Sequence, residues 1–194
     1  MPAAHIAILG AGSWGTALGL LLCRNGHAVR LWGHEPWHIE QLCAEGENRQ
    51  FLAGFPFPPG LAPVAALGIA LDGARDVLVV VPRHAFPTLL LQLSEPLPPG
   101  IGVAWATKGF EPASGRLLHQ VAAQILPGRD LAAVSGPSFA REVAQGLPTA
   151  VTVASPRLTY AQRIADLLQS SRRCVISATV EWGCHRRCNC SLSA

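Results

Sequence analysis

Ile6-Ala7-Ile8-Leu9-Gly10-Ala11-Gly12-Ser13-Trp14-Gly15 decides the fold. Four apolar residues without a polar break fit a strand covered on both faces. A G-x-G-x-x-G pattern follows at once, and residues 14–25 then read as a helix stopped by Asn25-Gly26. On its own the glycine pattern is weak; between a strand and a helix it describes a bend shaped for phosphates. Gly10 permits the tight turn, Gly12 lets the backbone approach a pyrophosphate, and Gly15 lets the helix pack closely on the strand. The helix N-terminus adds free N–H groups and partial positive charge. A glycine-rich turn with no ligand is the competing explanation, and the strand–turn–helix setting counts against it.

Working outward, short β-like runs alternate with helical ones, as in stacked βαβ units around a parallel sheet. Strands are expected at residues 28–32, 77–81, 101–106, 131–134 and 150–154. Helices are expected at 36–45, 84–93, 115–125, 139–146 and 158–168. The fold class is therefore α/β, a Rossmann-type doubly wound, mostly parallel sheet. A loop rich in proline and glycine, residues 52–63, interrupts the rhythm, with Phe51, Phe55 and Phe57 expected to pack beneath it. Past residue 170 the pattern degrades. Residues 174–177 read as one last strand, giving a dinucleotide-binding domain over 1–178 and an irregular tail over 179–194.

Composition narrows the function classes. A chain of 194 residues, nearly half of them apolar, can bury one good core. The net charge of +3 is small and its basic residues are scattered apart from a cluster near the end, so nucleic acid is not an expected partner. No apolar run is long enough to span a bilayer, and no basic region precedes the first strand as in a signal peptide. The expected location is the cytoplasm, with no membrane partner. Cys23 and Cys43 sit singly in helical segments and are expected to be buried, reduced thiols.

The end of the second strand ordinarily sets cofactor preference, an acidic residue favouring NAD and a basic one NADP. Here it reads Trp32-Gly33-His34-Glu35. His34 is a candidate donor to a 2′-phosphate and Glu35 is expected to face solvent. The cofactor is NAD or NADP, with exclusive use of NAD the less favoured.

Three further segments sharpen the reading: Val81-Pro82-Arg83-His84-Ala85, Trp105-Ala106-Thr107-Lys108-Gly109, and Ser135-Gly136-Pro137-Ser138-Phe139-Ala140-Arg141-Glu142-Val143. Together with Gly10–Gly15 they resemble, in the right order, the bacterial NAD(P)-dependent glycerol-3-phosphate dehydrogenases. Glu47-Asn48-Arg49 and Gly146-Leu147-Pro148-Thr149 fit as well, and the resemblance covers residues 6 to about 168. It implies an oxidoreductase that interconverts sn-glycerol 3-phosphate and dihydroxyacetone phosphate and supplies phospholipid synthesis. It implies that Ser13, Trp14, His34 and Ala140 contact the cofactor, that Gly136 and Ser138 touch the substrate, and that Lys108 contacts both. All three segments lie at carboxyl ends of expected strands, where open α/β sheets bind ligands. For Lys108 the alternative is a solvated surface lysine, which an apolar strand-end setting would disfavour. For Ser138 it is an ordinary helix cap, and the two roles are compatible. Arg141 and Glu142 are expected to form a solvated pair, and His84 to be a helix-start histidine. A related phosphate-using dehydrogenase of the 6-phosphogluconate type is a further alternative, against which the Lys108 and 135–143 segments argue.

Family members carry the proton-transfer lysine in a Gly-Gly-Ala-x-Lys-Asn-like segment of a second, helical domain, and no such segment occurs here. The alternative function is thus a truncated, inactive NAD(P)-binding module, prone to self-association through apolar surface left uncovered. Residues 182–190 read Trp-Gly-Cys-His-Arg-Arg-Cys-Asn-Cys. A one-base shift of their codons permits Gly-Val-Ala-Ile-Gly-Gly-Ala-Ile, similar to the family's lead into that lysine. A frameshifted tail is therefore expected, and the gene should encode Gly-Val-x-x-Gly-Gly-Ala in another frame beyond codon 170. A gene with no such frame sinks the idea. Cys184, His185, Cys188 and Cys190 lack the paired C-x-x-C spacing of common zinc sites, so no metal is assigned.

Overall fold

A computed structural model describes residues 4–136 and 139–169, and the backbone of 174–179. Its centre is β1 (His5–Leu9), every residue of which is buried. Ile6 and Ile8 point into one hydrophobic core and Ala7 and Leu9 into another, the two-residue period of a strand with helices on both faces. α1 (Ser13–Arg24) follows the glycine bend and buries a continuous run from Gly15 to Leu22. The chain then moves outward through β2 (Ala28–Trp32), α2 (Pro36–Glu45), α3 (Arg49–Leu52) and β3 (Leu61–Val64).

A crossover through α4 (Leu67–Leu71) returns it to β4 (Ala74–Val79), on the other side of β1. From there it continues through α5 (Phe86–Ser94), β5 (Val103–Trp105), α6 (Leu118–Ile125) and β6 (Leu131–Ser135). α7 (Ala140–Gln145), β7 (Thr149–Ala154), α8 (Leu158–Leu168) and β8 (Cys174–Thr179) complete the described residues. The sheet order is β3-β2-β1-β4-β5-β6-β7-β8. All neighbours run parallel except β6 and β7. The doubly wound, mostly parallel α/β class expected from the sequence is the one observed. Strand order reverses between β1 and β4, so a crevice opens beyond their carboxyl ends.

Several boundaries differ from expectation for physical reasons. The segment expected as a plain loop, 52–63, contains most of β3, whose Pro63 is tolerated because β3 is an edge strand. The strand expected at 77–81 is β4, which begins at Ala74 and ends at Val79. Its Asp76 is almost fully buried yet fits, because Arg163 donates to Oδ2 at 2.9 Å. Val80 and Val81 leave the sheet and border the crevice instead. The strand expected at 101–106 keeps only Val103–Trp105, and the helix expected at 115–125 begins at Leu118. Residues 180–194, with Cys184, His185, Cys188 and Cys190, lie outside the described residues, as do the side chains of 174–179.

Cys23 is half-buried, and burial pushes its thiol up to about 11. Cys43 is exposed rather than buried, because α2 turns that position away from the sheet. Iodoacetamide at neutral pH should therefore modify Cys43 well before Cys23, since the thiolate is the reactive form. Peptide mapping by mass spectrometry reads the order, and faster labelling of Cys23 would contradict its placement.

Candidate functional site

The bend after β1 is held on two sides. Gly10 donates its N–H to the Trp32 carbonyl at 2.8 Å, and Val80 donates to the Leu9 carbonyl at 2.7 Å. Gly10 has φ +129°, and a Cβ there would lie 2.2 Å from the Val80 oxygen. A Cβ on Gly15 would lie 1.9 Å from the Gly10 oxygen. Both glycines are demanded by the fold itself. Gly12 is different. Its φ of −78° suits any residue, and a Cβ there would meet nothing within 4 Å. Gly12 is also the N-cap of the twelve-residue α1, and no side chain caps the first-turn N–H groups. Those donors, and the helix's partial positive charge, are left for a ligand.

The bend forms one wall of a cleft of about 270 Å³ at the reversal point between β1 and β4. The other walls come from the residues after β2, from α2 and α3, and from Val80–Pro82. His34 stands at the rim, largely exposed, with Nε2 3.0 Å from Glu35 Oε1. Glu35 is exposed, as expected, and also borders the cleft, where its other oxygen accepts from the Trp37 indole at 3.1 Å. Phe51, by contrast, is not packed beneath its loop. It stands half-exposed in the cleft wall, edge-on to His38 with centroids 5.2 Å apart, because α3 holds it outward. Phe55 and Phe57 do pack against the core. The arrangement offers N–H donors at one end and flat apolar walls at the other, which suits a phosphate-linked ring compound.

A second set of residues continues the same rim. Thr107 donates from Oγ1 to the Val81 carbonyl at 2.8 Å, tying the turn after β5 to the cleft. Lys108 Nζ then donates to the Gly136 carbonyl at 3.1 Å. Lys108 is exposed, so the apolar setting expected for it is not found; its ammonium is held by a strand-end carbonyl instead. Gly136 has to be glycine, since a Cβ would lie 2.4 Å from the Ala150 oxygen. Ala140 opens α7, while Ser138 lies outside the described residues. Arg141 and Glu142 do not form a solvated pair. Arg141 stacks over Phe55 at 5.4 Å, and Glu142 Oε2 accepts from the Phe139 N–H at 3.4 Å. His84 lies exposed in the turn before α5. Gly10, Gly12, Ser13, Trp14, Gly15, His34, Lys108, Gly136 and Ala140 thus share the carboxyl end of the sheet.

A family model described as the N-terminus of NAD-dependent glycerol-3-phosphate dehydrogenase matches residues 5–161. This chain belongs to the NAD-dependent glycerol-3-phosphate dehydrogenase family. Glycerol-3-phosphate dehydrogenase [NAD(P)+] of Stenotrophomonas maltophilia is 51% identical over 165 residues, covering 84% of this chain and 48% of the relative. The enzyme of the same name from Sodalis glossinidius is 47% identical over 170 residues, covering 87% and 50%. The crystal structure of glycerol-3-phosphate dehydrogenase from Coxiella burnetii superposes with a TM-score of 0.85 at 42% identity, covering 91% of this chain and 54% of that one. The chain spans about half the length of the curated relatives it matches.

Two further residues support the cleft; Arg24 was not noted in the sequence, and Asn48 entered only within the Glu47-Asn48-Arg49 segment of the family resemblance. Asn48 is fully buried, and its side chain bonds to the Ala11 carbonyl within the bend. Arg24, at the end of α1, donates to the carbonyls of Val143 and Ala144 and so clamps the C-terminal turn of α7, the helix whose first residue is Ala140. Burial lowers the Arg24 pKa, and the guanidinium stays charged throughout the working range. Arg24→Ala should cost about 2 kcal/mol, the value of two charged hydrogen bonds in a part-buried setting. Thermal denaturation reads it, and an unchanged midpoint would contradict the clamp.

A wider depression lies elsewhere, about 460 Å³ and lined by His27, Arg75, Arg163 and neighbours on α8. His27 precedes β2 and Arg75 is the second residue of β4, so the depression sits at the amino ends of the strands. It is shallow and open, and none of the glycine-bend residues reaches it.

Proposed function

We propose that this chain binds NAD or NADP in the cleft beside Gly12 and forms the dinucleotide-binding part of an enzyme interconverting sn-glycerol 3-phosphate and dihydroxyacetone phosphate. The observation that carries the reading is Gly12, a glycine required by neither backbone nor packing, placed at an uncapped helix start. The first-turn N–H groups would hold the pyrophosphate, and the walls formed by Trp37 and Phe51 would hold the adenosine end near His34. When bound, the nicotinamide supplies or accepts the hydride. Lys108 would place its ammonium against the substrate oxygen, with Gly136 and Ser138 holding the phosphate-bearing end. The relatives' names support NAD(P) as cofactor.

The finer statements are part of the same proposal. Residues 1–178 form the binding domain, the product serves phospholipid synthesis, and the enzyme works in the cytoplasm. Among the described residues no helix is long and apolar enough to cross a membrane. Phe110 and Phe139, both more than half exposed near the rim, favour self-association of the isolated chain.

A second reading is a module that binds the dinucleotide in the cleft without turnover. Two measurements on one sample separate them. NAD(P)H absorbance is followed with dihydroxyacetone phosphate, and the dinucleotide is titrated against tryptophan fluorescence, Trp37 standing in the cleft wall. Oxidation supports the enzyme, saturable quenching alone supports the module, and neither response contradicts both. Where turnover is seen, Lys108→Met should lower kcat about a hundredfold, consistent with loss of a charged group at the reacting oxygen. An unchanged kcat would remove Lys108 from the site.

A further inference from the structure

Asn48 is buried completely, 37 residues away in sequence from the bend it touches. Its Nδ2 donates to the Ala11 carbonyl at 2.9 Å and to Thr16 Oγ1 at 2.8 Å. Its Oδ1 accepts from the Phe51 N–H at 3.2 Å, with His38 Nε2 3.4 Å away. The orientation of the amide is fixed by its partners. A carbonyl can only accept and a backbone N–H can only donate, so nitrogen faces Ala11 and oxygen faces Phe51.

These bonds link two walls of the cleft to each other and to α1. Ala11 lies between the two glycines that shape the bend, and Thr16 stands one residue after Gly15 on α1. Phe51 and His38 belong to the opposite wall. A glycine-rich bend has little intrinsic rigidity, since glycine loses more conformational freedom on ordering than any other residue. A Cβ on Gly12 would meet nothing within 4 Å, so no neighbour packs over that side of the bend. The Ala11 carbonyl is one peptide away, and Asn48 is the side chain that holds it.

We propose that Asn48 is a positioning residue that sets the glycine bend against α1 and so presents the first-turn N–H groups in a fixed array to a pyrophosphate. This rests on the reading of the cleft as a dinucleotide site. Asn48 acts through Ala11 and Thr16 and does not itself meet the ligand. Its contribution is therefore specific to ligands carrying linked phosphates, and largely absent for a ligand that occupies only the ring-binding wall.

Asn48→Ser separates these roles. Serine is a good helix cap and keeps an acceptor for the Phe51 N–H, yet is too short to reach Ala11 and Thr16. It also introduces no charge that would repel a phosphate. The full chain and the variant are titrated with ADP-ribose and with adenosine well below their melting temperatures. ADP-ribose affinity should fall about tenfold, the worth of one to two buried hydrogen bonds, with adenosine changed less than about twofold. Equal losses for the two ligands, or none for ADP-ribose, would overturn the proposal while leaving the cleft's assignment in place. If Asn48→Ser does not fold, Thr16→Val decides. It removes one of the two anchors and should weaken ADP-ribose about threefold with adenosine unchanged, and an unchanged ADP-ribose affinity overturns the proposal. Failure of the unsubstituted chain to bind ADP-ribose would remove the dinucleotide reading and this inference with it.

Discussion

Gly12→Val should leave the fold intact and reduce dinucleotide affinity about a hundredfold or more. The two halves of that statement have separate causes. Gly12 has an ordinary φ and open space around the position of a Cβ, so a side chain is admitted without strain. Valine is a poorer helix cap than glycine, which costs about 1 kcal/mol or less. The open space, however, is the approach to the uncapped N–H groups of α1. A branched side chain there keeps phosphate oxygens beyond hydrogen-bond distance, and each charged hydrogen bond lost is worth about 1.5–3 kcal/mol. Calorimetric titration beside a melting curve reads both halves. Retained affinity would mean that the ligand does not approach over Gly12.

Gly15→Ala should do the reverse, damaging the fold first. Helix propensity alone predicts stabilisation, since alanine is favoured over glycine by about 1 kcal/mol inside a helix. The geometry overrules it. The new Cβ would lie 1.9 Å from the Gly10 oxygen and 3.1 Å from its carbonyl carbon. Both are backbone atoms and cannot rotate away. Gly10 in turn lies close to the Val80 carbonyl, so the strain passes into the segment just after β4. Overpacking of this kind costs about 1–3 kcal/mol or more. The net loss should be about 2 kcal/mol, a fall of about 4–8 °C in the melting midpoint for a chain of this size. A rise in the midpoint would show that α1 does not sit so tightly on the bend.

These two glycines illustrate what sequence can and cannot disclose. The pattern Gly10-Ala11-Gly12-Ser13-Trp14-Gly15 foretells a bend because a strand and a helix flank it, and the fully buried β1 is apolar from Ile6 to Leu9. β3 is hidden for the opposite reason. It is a four-residue edge strand containing Pro63, set in a stretch of proline and glycine that reads as loop. The closeness of Lys108 to Gly136 depends on β5 and β6 lying side by side, which motif order implied only through resemblance to a family. Asn48 entered the sequence reading only within Glu47-Asn48-Arg49, and its bracing role was hidden because asparagine usually marks a turn and its Thr16 and Ala11 partners lie 32 and 37 residues away. Phe51 was misplaced because its exposure is set by α3, which turns it toward the cleft.

The central claim is that phosphates meet the start of α1 at the strand-order reversal. Amide hydrogen exchange, measured with and without saturating NADPH, tests it most directly. Exchange should slow at the N–H groups of Ser13, Trp14 and Gly15, which no side chain caps in the free chain, and near Val81 and Lys108 along the same rim. Protection confined to the depression around His27, Arg75 and Arg163, at the opposite end of the strands, would contradict it.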